Sequence, residues 1–114
     1  MPYCELKTTV KVSQEEKKEL GRALTEIIEQ IPGKSEQWIM ASIEGDIYIR
    51  FAGTDENDSA VITLKTFGQT TDKYYDLVTE GFCRKVSEKL GISPDRIYVI
   101  HEPISRGGWN GGNF

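Results

Sequence analysis

The sequence predicts an α/β fold of the α+β kind: two β-α-β repeats joined in a four-stranded sheet, both helices on one face, with extra short strands. Three observations predict it. A pattern recurs along the chain without a gap, each copy carries an apolar stripe of helical period, and each stripe lies between two short β-prone runs.

Leu6-Lys7-Thr8 returns as Leu64-Lys65-Thr66, so residue 6 maps to residue 64, and the same offset carries Ser13 to Thr71, Leu20 to Val78, Leu24 to Phe82, Ile28 to Val86, Gly33 to Gly91, Ser35 to Ser93 and Ile39 to Ile97. The matched positions share structural jobs. In the first unit Tyr3 to Val10 is β-prone, and Ser13 with Glu16 has the spacing of a capping box, which satisfies orphan N–H groups at a helix start. Leu20, Leu24, Ile27, Ile28 and Ile31 then fall on one helical stripe, Pro32-Gly33 stops the helix, and Gln37 to Ile43 is the next strand. In the second unit Ala60 to Phe67 is a strand and Thr71 is placed to cap. Val78, Phe82, Val86 and Leu90 form the stripe, Gly91 ends the helix and Arg96 to His101 is a strand.

A strand, crossover helix and parallel strand form one right-handed unit, and two such units place four strands in one sheet. Between them Glu44-Gly45-Asp46 is a turn signal, Ile47 to Phe51 alternates as a short strand, and Gly53 to Ser59 is a polar loop. The tail from Gly107 to Phe114 is too glycine-rich for a helix yet ends in large aromatics. Helices on one face leave the other face needing cover, and Ile39, Ala41, Ile62, Leu64, Ile97 and Val99 read as too apolar for open water. Subunit association is the simplest cover, so an oligomer is expected.

The 114 residues suffice for one domain, 1–114, around a single core. Net charge is −4, with Lys and Arg scattered among acids, which argues against a nucleic-acid partner. No apolar run spans a bilayer, and the charged start Met1-Pro2-Tyr3-Cys4-Glu5-Leu6-Lys7 lacks the apolar stretch of a signal peptide, so no membrane partner and a cytoplasmic location are expected. Cys4 and Cys83 form no C-x-x-C pair and supply too few soft ligands for zinc; they read as reduced, partly buried small hydrophobes, with no metal site.

Pro2 directly after the initiator, Gly33-Lys34, Phe51-Ala52-Gly53-Thr54, Gly91-Ile92-Ser93-Pro94-Asp95-Arg96-Ile97-Tyr98 and the terminal Gly108-Trp109-Asn110-Gly111-Gly112-Asn113-Phe114 together resemble the macrophage migration inhibitory factor family of the tautomerase superfamily, from Pro2 to Phe114. The resemblance implies a homotrimer of β-α-β-β-α-β subunits enclosing a central channel, with three active sites at subunit boundaries. It also implies a cofactor-free isomerase that interconverts keto and enol forms of arylpyruvates and dopachrome-like compounds. Several members act outside the cell as cytokine-like proteins, leaving by a leaderless route, so a cell-surface receptor is an implied partner.

The amino-terminal proline, once Met1 is removed, is a secondary amine whose lone pair accepts a proton. An apolar pocket and a nearby cation both disfavour its charged form, holding its pKa down toward neutrality, where a general base works best. With Met1 retained, the Pro2 nitrogen is an amide and cannot do this; small second residues such as proline normally permit removal. By resemblance Lys34 pairs with a substrate carboxylate or carbonyl oxygen, its alternative being a solvated lysine after a helix end. Phe67 offers its backbone N–H where the family usually has isoleucine. Tyr98 projects from a neighbouring subunit, and Trp38, Trp109 and Phe114 form aromatic walls for an aryl substrate, unless they are core or interface packing.

Two departures stand out. Ile100 occupies a position where the family often has asparagine, so one polar contact to substrate is missing. Ser59-Ala60-Val61-Ile62 replaces the C-x-x-C of the family founder, so no thiol–disulfide activity is expected. His101 and Glu102 read as a surface pair at a strand end. A second functional class is a secreted cytokine-like protein acting through receptor binding with little catalysis; a third, hydrolytic dehalogenation or decarboxylation, wants several arginines, and Arg106 stands alone.

Overall fold

The computed structural model describes residues 1–114 throughout. In chain order the elements are β1 (Pro2–Thr8), α1 (Gln14–Ile28), β2 (Met40–Glu44), β3 (Ala60–Phe67), α2 (Asp72–Leu90), β4 (Ile97–Ile104), β5 (Gly108–Trp109) and β6 (Gly112–Asn113). Single 3₁₀ turns, Glu36–Trp38 and Pro94–Arg96, lead into β2 and β4. The main sheet has the order β2-β1-β3-β4. Its outer pairs are parallel, as β-α-β units require, and the central pair is antiparallel.

The duplication is visible in the register. Tyr3 faces Met40 across the first parallel pair, and their counterparts Val61 and Tyr98 face each other across the second. At the centre Glu5 pairs with Thr63, its own counterpart, so a pseudo-twofold axis runs between these two residues.

The helix signals resolve as local chemistry. Ser13 Oγ accepts from the Glu16 N–H at 3.1 Å, and the Glu16 carboxylate accepts from the Ser13 N–H at 2.9 Å, closing the capping box. Thr71 departs from expectation: it occupies the N-cap, but its hydroxyl makes no capping bond, and its carbonyl takes the N–H groups of Tyr74 and Tyr75 instead. Tyr74 stands where Glu16 stands in the first unit, so no carboxylate returns to lock the cap. At the other end Gly91 adopts the left-handed conformation (φ 70°) that closes α2. The α1 helix stops at Ile28, ahead of Pro32, and its last carbonyls are taken up by tightened turns at Gln30 and Ile31.

Both helices lie on one face, over a core that includes Leu6, Leu20, Leu24, Ile28, Ile62, Leu64, Val78, Phe82 and Val86. A Cβ on Gly81 would stand 3.1 Å from Ile27 Cγ2, so the missing side chain lets the two helices approach closely there. No helix is long and apolar enough to cross a membrane.

The structure corrects three expectations. First, Ile39, Ala41, Ile62, Leu64, Ile97 and Val99 do not form an uncovered apolar face; all pack in or against the core beneath the helices. Strand alternation puts Tyr3, Glu5, Lys7, Ser42, Thr63, Lys65, Tyr98, Ile100 and Glu102 on the open face instead. Met40, Val61 and Phe67 share that face, which is mixed in character and carries the ion pairs Glu5–Lys7 at 3.7 Å and Lys65–Glu102 at 3.5 Å. Second, Ile47 to Phe51 forms no strand. The Ile47 N–H donates to the Thr8 carbonyl, and Phe51 and Thr54 then close a tight turn. Arg96 holds the loop by donating to the carbonyls of Phe51, Thr54, Asn57 and Asp58, drawing the segment away from any strand edge. Third, His101 and Glu102 are not a pair: they point to opposite faces, His101 toward α2, where Nε2 lies 2.8 Å from Thr79 Oγ1, and Glu102 to Lys65.

Candidate active site

The amino end of β1 opens onto a cavity of about 560 Å³ lined by Met1, Pro2, Tyr3, Lys34, Trp38, Met40, Phe67, Gly108, Trp109 and Phe114. The fold brings these together from five places. Pro2 is the first residue of β1, its ring fully buried and its Cα paired with Thr66 of β3. Lys34 follows Gly33, whose positive φ (83°) turns the chain back after α1. Its ammonium donates to the Phe67 carbonyl at 3.2 Å, at the end of β3. Trp38 sits on the turn before β2. Trp109 and Phe114 belong to the carboxyl-terminal hairpin, where Asn110 (φ 50°) and Gly111 (φ 81°) make the two-residue turn favoured between antiparallel strands.

The walls are two edge-on aromatic pairs. Trp38 meets Trp109 at 5.0 Å between ring centres, inclined 83°, and Phe67 meets Phe114 at 5.1 Å, inclined 82°. Such geometry sets the positive edge of one ring on the negative face of the other and leaves further ring faces free to take an aryl group. The cavity therefore offers apolar walls and one fixed cation.

That environment acts on the chain's amine. The amino group of Met1 has its pKa lowered, first by burial, which disfavours the charged form, and second by the like charge of Lys34. The other unusual group is Cys4, whose thiol burial pushes up to about 12, with Glu5 adding to the rise; so deep in the core it is no nucleophile. Cys83 is also free. No three His, Cys, Asp or Glu side chains converge as metal ligands.

Of the residues singled out in the sequence, Pro2, Lys34, Trp38, Phe67, Trp109 and Phe114 meet in this cavity. Tyr98 and Ile100 do not. They lie on the open face of β4, 60 % and 45 % exposed, with Tyr98 edge-on to Phe51 at 4.9 Å. In β4 they pair with Val61 and Thr63, whereas Pro2 pairs with Thr66, so Tyr98 lies toward the far end of the sheet from Pro2 and Ile100 near its middle. Arg106 is not among the lining residues. Sequence reasoning missed Tyr3 and Met40. The signal was present in the parallel register of the first β-α-β unit, which sets Met40 beside Tyr3 next to Pro2. It also missed the tail hairpin, which the Asn110-Gly111 dipeptide announces.

Fold and site together define a class: a duplicated β-α-β protein with an apolar, cation-bearing cavity at the amino end of its first strand. The macrophage migration inhibitory factor family profile matches residues 1–114, and the chain belongs to that family. The chain is 30% identical to macrophage migration inhibitory factor of Mus musculus over 93 residues, 80% of each chain. It superposes on the crystal structure of Leishmania major MIF2 with a TM-score of 0.92 at 24% identity, covering 100% of this chain and 97% of the other. A homologue from Prochlorococcus marinus gives a TM-score of 0.88 at 25% identity, with 98% of each chain covered. Membership places its function among the tautomerase and cytokine-like activities of that family.

Proposed function

We propose that the processed chain, with Met1 removed, is a cofactor-free keto–enol tautomerase of arylpyruvate- and dopachrome-type acids, working as a homotrimer with the Pro2 amine as its base. The observation that carries this reading is the convergence of Pro2, Lys34 and two aromatic pairs on one cavity. Removal of Met1 would move the free amine one residue inward, to a position already buried, where the two influences that lower the Met1 pKa act on Pro2.

The substrate carboxylate would then sit against the Lys34 ammonium and the Phe67 N–H, and its ring between the aromatic walls. The neutral amine takes the proton from the carbon beside the keto group as the electron pair moves to the carbonyl oxygen, which gains a proton to complete the enol. The reverse path returns the proton to carbon. One proton and one electron pair change place, with no net oxidation, so the chemistry calls for no redox cofactor. Tyr98 and Ile100 would reach the cavity of a neighbouring subunit, which accords with their exposure and their distance from their own Pro2. The ion pairs of the open face suit a water-lined channel at the trimer centre. Ile100 brings no polar atom, so substrate binding would lean on aryl packing.

The test compares phenylpyruvate tautomerisation by the processed protein and by Pro2→Gly. A loss of a hundredfold or more is expected from removing a positioned base, on the order of its usual contribution; equal rates would remove Pro2 from the mechanism. The similarity to mouse macrophage migration inhibitory factor supports a second reading, a cytoplasmic protein exported without a leader that binds a cell-surface receptor. Negligible turnover together with saturable binding to a receptor ectodomain would favour it.

A further inference from the structure

Gly107, just before the terminal hairpin, has a role that backbone freedom does not explain. Gly33, Gly53, Gly68, Gly91 and Gly111 have positive φ; Gly107 does not, so any residue could adopt its conformation. What it supplies is space. A Cβ built there would stand 2.6 Å from both Cε2 and Cζ of the Phe114 ring, closer than carbon atoms approach. The ring is fixed from two other sides. The Phe114 N–H donates to the Gly107 carbonyl at 2.9 Å, and the ring edge meets Phe67 at 5.1 Å. Phe114 is 41 % exposed, so a displaced ring can swing into solvent without disturbing the core.

We propose that Gly107 is a positioning residue that sets the aryl preference of the site: its bare Cα is the seat on which Phe114 folds over the cavity as one of the walls facing the substrate ring. This rests on the tautomerase reading and deepens it. Adding one methyl group at residue 107 evicts the terminal ring, while Pro2 and Lys34, which hold the reacting end, stay in place. The cost therefore falls on binding of an aromatic acid, and an alkyl 2-oxo acid escapes it.

The experiment measures KM and kcat of the processed protein and of Gly107→Ala with phenylpyruvate and with an alkyl 2-oxo acid. The expected result is a KM for phenylpyruvate raised about three- to tenfold, the scale of one aromatic pair, with kcat and the alkyl acid's KM unchanged. In a Phe114→Ala background, adding Gly107→Ala is expected to change nothing further. By NMR, the Overhauser contacts between the Phe114 and Phe67 rings are expected to vanish in Gly107→Ala. Persistence of those contacts, or an equal KM rise for both acids, overturns the proposal. Fluorescence titration of Trp38 and Trp109 with phenylpyruvate separates the two readings. A wild type that binds without turnover sinks the tautomerase reading; a Kd still raised by Gly107→Ala then keeps the seat, and an unchanged Kd sinks it.

Discussion

At the scale of single residues, the site is an amine and a cation held close together. The Lys34 ammonium donates to the Phe67 carbonyl at 3.2 Å, which orients it toward the cavity. Its like charge helps to keep the neighbouring amine unprotonated, second to burial. Replacing it with Gln removes that repulsion and, on the tautomerase reading, the partner of the substrate carboxylate. In the processed protein, Lys34→Gln is expected to raise KM at least tenfold and to move the acid limb of the kcat/KM profile to higher pH, since the base then needs a higher pH to lose its proton. A limb that stays put or moves to lower pH would refute the coupling.

His101 is a second residue with a readable charge state. Burial lowers its pKa below the ordinary 6.5, and its Nδ1 is buried without a hydrogen-bond partner. Because the folded-state pKa is depressed, the unfolded chain binds the proton first. The stability owed to a neutral His101 is present above about pH 6.5 and is lost as pH falls from there through the lower folded-state pKa. Urea unfolding midpoints taken between about pH 7 and pH 5 are expected to fall more steeply for the wild type than for His101→Gln; parallel curves would contradict this.

At the scale of elements, most assignments follow from patterns that need no partner. The Ser13 capping box, the apolar stripes of both helices and the Gly91 stop all act within a few residues, so they were legible in the sequence. The segment from Ile47 to Phe51 was misread for the opposite reason. Alternation describes a strand only when an edge is available, and here the four carbonyl bonds of Arg96 hold the loop elsewhere. The same loop stores strain: Ala52 sits at φ 54°, in the left-handed region that L-residues avoid. Ala52→Gly is expected to stabilise the fold by about 0.5 kcal/mol, the relief of roughly 1–2 kcal/mol exceeding the extra entropy glycine brings to the unfolded chain. A lowered thermal midpoint would show that the turn is not under strain.

At the scale of the whole molecule, the residues singled out fall into two groups. Six of the residues singled out share one cavity, and Tyr98 and Ile100 stand apart on β4. If a neighbouring subunit supplies Tyr98, then inactive Pro2→Gly chains mixed with impaired Tyr98→Ala chains, unfolded and reassembled together, regain activity in about a quarter of their sites by random pairing. Mixtures no better than the average of their parents, or a protein sedimenting as a monomer, would overturn the divided-site reading.

The sequence alone determined the duplication, the two β-α-β units, the helix starts and stops, and the family, because each rests on short-range periodicity or on ordered motifs. The choice of Pro2, Lys34 and the terminal aromatics came through the resemblance, and the fold then placed them within one cavity. Only the tertiary structure decided which face of the sheet is apolar. The six strand residues that read as exposed are under the helices, because burial depends on strand register against α1 and α2 and not on the composition of each strand. The chain fold also decided that Phe114 rests on Gly107, since a space shared by residues from different parts of a hairpin leaves no periodic trace along the chain.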